Sequence, residues 1–175
     1  MKMRNLFVFL VIAVLFATPV FANGPEYKVS VYPKEIYDGN LAIELEQKSN
    51  SVTSYTLEGS WIDYKKKVSD NTHFNVGFGA RRYFFGQDMN GLYLSPIFLA
   101  EWKSGSTGGT KTTDITVMGV AAGGYQLILA GHVALDASVR ASIPFYNYKK
   151  VGSETEHGTS FEFVPSFRIG AGFVW

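Results

Sequence analysis

The chain has 175 residues, no cysteine, and 16 lysines and arginines against 15 aspartates and glutamates. That length suits one domain. The missing cysteine excludes disulfides, thiolate metal sites and a lipid anchor on cysteine, and the even charge balance leaves no basic excess for nucleic acid.

Lys2 and Arg4 precede an uninterrupted apolar run from Leu6 to Ala17. The run is too short for a spanning helix, which needs about 20 residues. Thr18-Pro19 breaks it, and Val20-Phe21-Ala22 offers compact residues before a cut. Residues 1–22 therefore read as a cleaved secretory signal peptide, with 23–175 as the mature domain. An uncleaved anchor is the competing reading. Beyond residue 22 no long apolar run remains, so the aromatic- and glycine-rich remainder must bury its apolar groups another way.

The remainder alternates with period two, the mark of β-strands. A first strand covers Tyr27 to Tyr32, and Pro33 ends or edges it. Asp38-Gly39 signals a turn. In strand two Leu41, Ile43 and Leu45 alternate with Ala42, Glu44 and Glu46. Strand three sets Tyr55, Leu57, Gly59 and Trp61 against Thr56, Glu58 and Ser60, and Lys65-Lys66-Lys67 through Asn71 reads as a polar loop. Strand four sets Phe74, Val76, Phe78, Ala80 and Phe84 against His73, Asn75, Gly77, Gly79 and Arg81. A tight connection ending at Asn90-Gly91 follows. Strand five sets Leu92, Leu94, Pro96, Phe98, Ala100 and Trp102 against Tyr93, Ser95, Ile97, Leu99, Glu101 and Lys103; both faces are partly apolar. Ser104–Thr112 reads as a Gly/Ser/Thr loop.

Strand six sets Ile115, Val117, Gly119, Ala121, Gly123 and Tyr125 against Asp114, Thr116, Met118, Val120 and Ala122, with a minimal turn near Gln126-Leu127. Strand seven runs from Leu129 to Phe145, with His132, Ala134, Asp136, Ser138, Arg140 and Ser142 on its polar face. Lys149–Gly158 is the last polar loop. Strand eight, Phe161 to Trp175, places Phe161, Phe163, Pro165, Phe167, Ile169, Ala171, Phe173 and Trp175 on one face. Its other face holds Glu162, Val164, Ser166, Arg168, Gly170, Gly172 and Val174. An uncovered strand of this length and apolarity invites aggregation in water. Closure into a barrel with an apolar outside removes the edge.

The expected fold is thus all-β: an eight-stranded antiparallel transmembrane β-barrel with meander connectivity. Long connections at 33–39, 65–71, 104–112 and 149–158 fall at one end. Short ones at 48–52, 85–90 and 126–128 fall at the other, with both termini. Bacterial outer-membrane barrels put long loops outside and short turns in the periplasm. Outward aromatics mark two girdles: Trp61, Phe74, Trp102, Phe145 and Phe161 near the external ends, and Tyr55, Phe84, Tyr125, Phe173 and Trp175 near the periplasmic ends.

The stretches Gly77-Phe78-Gly79-Ala80-Arg81-Arg82-Tyr83-Phe84 and Gly91-Leu92-Tyr93-Leu94-Ser95-Pro96 resemble a hairpin of small bacterial outer-membrane β-barrel families of unknown function, with Ser95 where glycine is usual. The layout is also similar to OmpA-like and OmpX-like eight-stranded barrels. The resemblance covers most of residues 27–175. It implies an outer-membrane location in a Gram-negative bacterium and a fold, and no chemistry.

The inward face collects Glu44, Glu46, Glu58, Arg81, Glu101, Lys103, Asp114, Asp136, Arg140, Glu162 and Arg168. An eight-stranded barrel is filled by its own side chains. These acids and bases are expected to pair into a plug, because isolated buried charges are costly; a narrow ion or proton path is the sharper alternative. Lipid A deacylases of this size use a His-x-Ser pair, but His132 is followed by Val133 and Ala134, and His73 by Phe74 and Asn75. Ser138 stands about 20 Å from His132 along a strand. Lipid A palmitoyltransferases pair a histidine with a loop Asp-Ser; Ser69-Asp70 has the reverse order. His157 lies near Glu154 and Glu156 in a solvated stretch, and three scattered histidines make no metal site.

The expected role is therefore a monomeric outer-membrane barrel, structural or surface-interacting, without cofactor or catalysis. Its expected partners are outer-membrane lipid, lipopolysaccharide phosphates at Lys65-Lys66-Lys67, and the barrel-assembly machinery through the C-terminal strand. Two alternatives stand beside it: a soluble secreted or periplasmic lipocalin-like barrel around an apolar ligand, and a membrane enzyme acting on lipid A.

Overall fold

The computed structural model describes residues 26–37, 40–66, 69–107, 109–159 and 163–175. The strands are β1 (Tyr27–Val31), β2 (Asn40–Asn50), β3 (Thr53–Lys66), β4 (Ser69–Phe85), β5 (Gly91–Thr107), β6 (Thr110–Leu129), β7 (Val133–Val151), β8 (Glu154–Gly158) and β9 (Val164–Val174). One short helix, α1 (Pro33–Tyr37), follows β1. Neighbouring strands pair antiparallel from β1 to β7. β7 then pairs β9, and β9 pairs β1 through Lys28↔Val174 to Val31↔Ala171, which closes a ring of eight. β8 lies outside the ring and, among the described residues, pairs β7 alone, at the end far from the termini, from Asn147↔Gly158 to Val151↔Glu154.

Period two decides which residues face the lumen. Lys28, Ser30, Ala42, Glu44, Glu46, Thr56, Glu58, Arg81, Tyr83, Tyr93, Ile97, Leu99, Val120, Asp136 and Ser138 are buried. Their chain neighbours point out: Phe78, Leu94 and Phe98 are each more than half exposed, as are Val139, Phe167 and Ile169. The barrel is polar inside and apolar outside. The two-sided strand β5 resolves with Leu92, Leu94, Pro96 and Phe98 outward, and Ile97 and Leu99 packed inside against Val120 and Ala122.

The two ends differ. Turns at 51–52, 86–90 and 130–132 share one end with Tyr27 and Trp175. At this end the Tyr27 and Trp175 backbones exchange hydrogen bonds of 3.0 Å, sealing the closing seam. At the other end β5, β6 and β7 run to 17, 20 and 19 residues, about twice the 9–11 that cross a bilayer.

Several connections differ from the sequence expectation. The stretches 65–71, 104–112 and 149–158 are mostly ladder: Lys66↔Ser69, Thr107↔Thr110 and Val151↔Glu154 close tight hairpins. Polarity there marks departure from the apolar band, not the end of pairing, since a hairpin in water also satisfies its backbone by pairing. The turn expected at 126–128 lies at 130–132, and Gln126 is buried within β6. Leu129 therefore ends β6 instead of starting the next strand. Pro33 opens α1, whose first backbone bond runs from the Ile36 amide to the Tyr32 carbonyl at 3.1 Å. A fixed φ and no N–H suit proline to that first helical position. Asp38-Gly39, Phe161 and Glu162 lie outside the described residues.

Candidate functional site: the luminal charge network

The lumen is filled in tiers. Its floor is the β4–β5 turn, folded back under the barrel. Asp88 and Met89 take positive φ (55° and 61°), which turns the chain inward and buries Met89 against Tyr83 and Tyr93. The Gln126 amide donates to the Met89 carbonyl at 2.6 Å and ties the turn to β6.

Above the floor sit Lys28, Glu44, Glu46, Arg81 and Asp136, all buried. The Arg81 guanidinium donates to both Glu44 oxygens (2.8 and 2.7 Å), to Glu46 (2.8 Å) and to Gln126 (3.0 Å). The Lys28 ammonium lies 2.6 Å from Glu46 and 3.1 Å from Glu44, and donates to Gln126 at 2.5 Å. Three tyrosines close the cluster: Tyr32 donates to Glu44 (2.7 Å), Tyr83 to Glu46 (2.6 Å) and Tyr93 to Asp136 (2.9 Å). Asp136 stands 3.8 Å from Arg81, whose guanidinium lies 4.4 Å over the Tyr93 ring. Two cations thus face three carboxylates; the three tyrosine hydroxyls donate to those carboxylates, and the Gln126 side-chain oxygen accepts from both cations. Dense donation of this kind lets charges persist in a low-dielectric interior.

The next tier joins β3, β7, β9 and α1. Glu58 accepts from Arg140 (2.7 Å) through one oxygen and from Arg168 (2.9 Å) through the other. Arg168 also donates to Glu35 of α1 at 2.7 Å and stacks 3.6 Å over the Tyr32 ring. Gly170 makes this stack possible: a Cβ there would lie 3.0 Å from the Tyr32 ring. Gly77 does the same for Glu58, whose Cγ would meet a Cβ at 2.9 Å. Above this tier a cleft of about 260 Å³ opens among Tyr32, Glu35, Asn40, Asn75, Arg140 and Arg168.

Of the charges singled out from sequence, Glu44, Glu46, Glu58, Arg81, Asp136, Arg140 and Arg168 come together in these two tiers. Glu101 stands apart, toward the barrel end far from the termini, where it contacts His73 at 2.8 Å and also Lys103. Glu162 lies outside the described residues. Lys28, Glu35, Tyr32, Tyr83, Tyr93 and Gln126 went unmarked in the sequence. The alternation of β1 already placed Lys28 inward, so that signal was present. Glu35 left none, because α1 is too short to show a period.

The outward aromatics form rows. The register aligns Leu41, Trp61, Phe74, Trp102, Ile115 and Tyr148 across six strands toward the end far from the termini, with the Trp61 and Phe74 rings 6.0 Å apart. Phe145 packs on Phe98 at 5.5 Å. At the other end Tyr27, Phe173 and Trp175 stack, and Tyr55, Phe84 and Tyr125 are exposed. Phe161 lies outside the described residues. His132, which lacks the serine of a deacylase pair, stacks on Phe173 in the 130–132 turn. Among the described residues no three His, Asp or Glu side chains converge on a point that could hold a metal ion.

No protein-family model matches the chain, and a comparison with curated proteins gives no match. Solved structures do resemble it. The N-terminal β-barrel domain of Pseudomonas aeruginosa OprF superposes with a TM-score of 0.56 at 11% identity, over 88% of this chain and 100% of that one. Acinetobacter baumannii CarO gives 0.49 at 12% identity over 87% and 98%. A major outer membrane protein of Thermus thermophilus gives 0.46 at 11% over 87% and 100%. The first of these shares the eight-stranded barrel fold with this chain.

Proposed function

We propose that the protein is a Gram-negative outer-membrane β-barrel whose role is structural or surface-interacting, without catalysis. The observation that carries this reading is the barrel's polarity. A closed ring exposes Phe78, Leu94, Phe98, Val139, Phe167 and Ile169 while burying Lys28, Glu44, Glu46, Glu58 and Arg81. In water that arrangement forfeits the hydrophobic effect and desolvates charge as well. In a bilayer the outward face is the solvated one. A lipocalin-like barrel needs the opposite distribution.

The reading places both termini and the short turns in the periplasm, and the tall β5–β8 wall outside the cell. Residues 1–22 act as the signal peptide that delivers the chain. Trp61, Phe74, Trp102 and Phe145 anchor one interface, and Tyr55, Phe84, Tyr125, Phe173 and Trp175 the other. Outer-membrane lipid, lipopolysaccharide at Lys65-Lys66-Lys67 and the assembly machinery at β9 are the partners proposed. The paired tiers make the lumen a plug, so conductance in planar bilayers is expected to stay at background.

An epitope inserted at Gly152-Ser153, in the exposed β7–β8 turn, tests location and orientation together. Antibody should label intact cells that express the tagged chain. Labelling only after the outer membrane is breached would contradict the orientation. Lipid A mass spectra from expressing and deletion strains should coincide; a shift of an acyl mass would replace this reading with the enzymatic one.

A further inference from the structure

The barrel wall has a notch. The β1–β9 ladder is short: it runs from the Tyr27–Trp175 backbone pair up to Val31↔Ala171 and ends there. Beyond that point β9 residues 164–170 pair β7 alone, and Asn40–Ala42 of β2 pair β3 alone. Among the described residues no ladder crosses from β2 to β9 above β1. Helix α1 packs between these two strands. Five residues are far fewer than the roughly 12–15 that hold a helix on their own, so its position depends on what it touches. Its inward side chain, Glu35, accepts from Arg168 Nε at 2.7 Å, from Arg168 Nη2 at 3.5 Å and from Asn40 Nδ2 at 3.4 Å. Its outward side chains, Ile36 and Tyr37, are exposed.

The cleft at this notch reaches both sides of the wall. Tyr32, Glu58, Arg140 and Arg168 line it from the lumen; Phe167 and Ile169, whose side chains point outward, line it from β9. Phe167 and Ile169 stand eight and six residues from Trp175. In strands tilted as barrels require, that is about 15–20 Å above the lower end, within the outer half of an apolar band about 25 Å tall. A path therefore leads from a carboxylate-binding donor set in the lumen to the surface that faces acyl chains.

We infer that the notch between β2 and β9 is a binding site for a single-chain alkyl carboxylate, whose headgroup takes the place of Glu35 on Arg168 and Asn40. The alkyl chain leaves over Phe167 and Ile169 into the outer leaflet. Arg140, Asn75 and Ser166 provide further donors along the headgroup's side of the cleft. At about 260 Å³ the cleft is smaller than cavities that enclose a whole drug-sized ligand, so it takes a headgroup and the first part of a chain, and not a whole phospholipid. Glu35 is the internal competitor: it keeps Arg168 neutralised when the site is empty and must be displaced when it is filled.

The inference rests on the membrane reading above, and its test separates the two. The full mature chain is reconstituted in nanodiscs of zwitterionic phosphatidylcholine and titrated calorimetrically with palmitate, hexadecanol and inorganic phosphate. Palmitate is expected to bind, and Glu35→Gln to tighten it about tenfold by weakening the competitor. Arg140→Gln is expected to loosen it several-fold. Hexadecanol and phosphate, each carrying half of the recognised chemistry, are expected to bind at least tenfold more weakly. Palmitate binding that Glu35→Gln leaves unchanged or weakens overturns the inference, as does hexadecanol or phosphate binding as well as palmitate. If Arg140→Gln fails to fold, the Glu35→Gln result decides. A comparison of boiled and unboiled samples on SDS gels, run on each variant, reports the barrel itself. A folded barrel that ignores palmitate sinks this inference alone; a chain that shows no shift sinks the membrane reading.

Discussion

Replacing Arg81 by methionine tests the luminal network at its centre. Arg81 donates four hydrogen bonds to Glu44, Glu46 and Gln126, and its guanidinium lies over the Tyr93 ring. Methionine keeps much of the side chain's length and removes the charge. Glu44, Glu46 and Asp136 are then left with Lys28 as the one cation of that tier among the described residues. Breaking a buried ion pair from one side costs about 3–5 kcal/mol, because the uncompensated partner stays buried. The lost stacking on Tyr93 adds on the order of 0.5–2 kcal/mol. A total of roughly 3.5–7 kcal/mol is expected in equilibrium urea unfolding in phospholipid vesicles. The double variant Arg81→Met/Glu44→Met removes one surplus carboxylate and should cost less than the sum of the two single variants. Coupling between groups in one network is typically about 0.5–3 kcal/mol. Stability of Arg81→Met within about 0.5 kcal/mol of the parent, or strict additivity in the double variant, would refute the argument that these charges hold one another.

Three further outcomes follow from local geometry. A Cβ at Gly172 would lie 2.3 Å from the Val29 carbonyl oxygen across the closing seam, so Gly172→Ala should cost about 1–3 kcal/mol in the same unfolding assay, whereas Gly158→Ala, with nothing within 4 Å of the added carbon, should be near neutral. Phe98 is 57% exposed on the outer face; Phe98→Arg should destabilise the barrel in vesicles by about 2–4 kcal/mol if it meets the bilayer interior, and a neutral result would place that face in water. Ala130 holds a φ of 51° in the β6–β7 turn, a conformation asparagine tolerates better, so Ala130→Asn should raise the unfolding midpoint by the equivalent of about 0.5–1 kcal/mol.

The ring and its facing were legible in the sequence because period two is a local property. Leu41, Ile43 and Leu45 against Ala42, Glu44 and Glu46 already separate lipid from lumen, and the structure keeps that separation. The pairing of the charges was not legible. It depends on how strands align across the lumen, as when Arg168 reaches Glu58 from 110 positions away and Glu35 from 133. Strand ends were misread wherever polar residues continue a ladder. Lys149 and Lys150 look like loop in sequence, yet they pair Glu156 and Thr155 in the β7–β8 hairpin. The sequence pattern puts the β6–β7 turn too early because Gln126 looks like a turn residue, while in the fold it is an amide bridging Lys28, Arg81 and the Met89 carbonyl. Helix α1 left no trace, since it is held by packing in a notch and by one ion pair, neither of which is a local pattern.

The central claim is that this chain closes into a barrel that lives in a membrane with its charges inside. The most direct measurement is heat-modifiability. Membranes from a Gram-negative host expressing the chain are extracted in mild detergent and run on SDS gels with and without boiling. A closed, hydrogen-bonded ring should resist SDS until heated, so the unboiled band should migrate apart from the boiled one and sediment with the outer-membrane fraction. A single band that ignores boiling, recovered from the soluble periplasmic fraction, would contradict the claim.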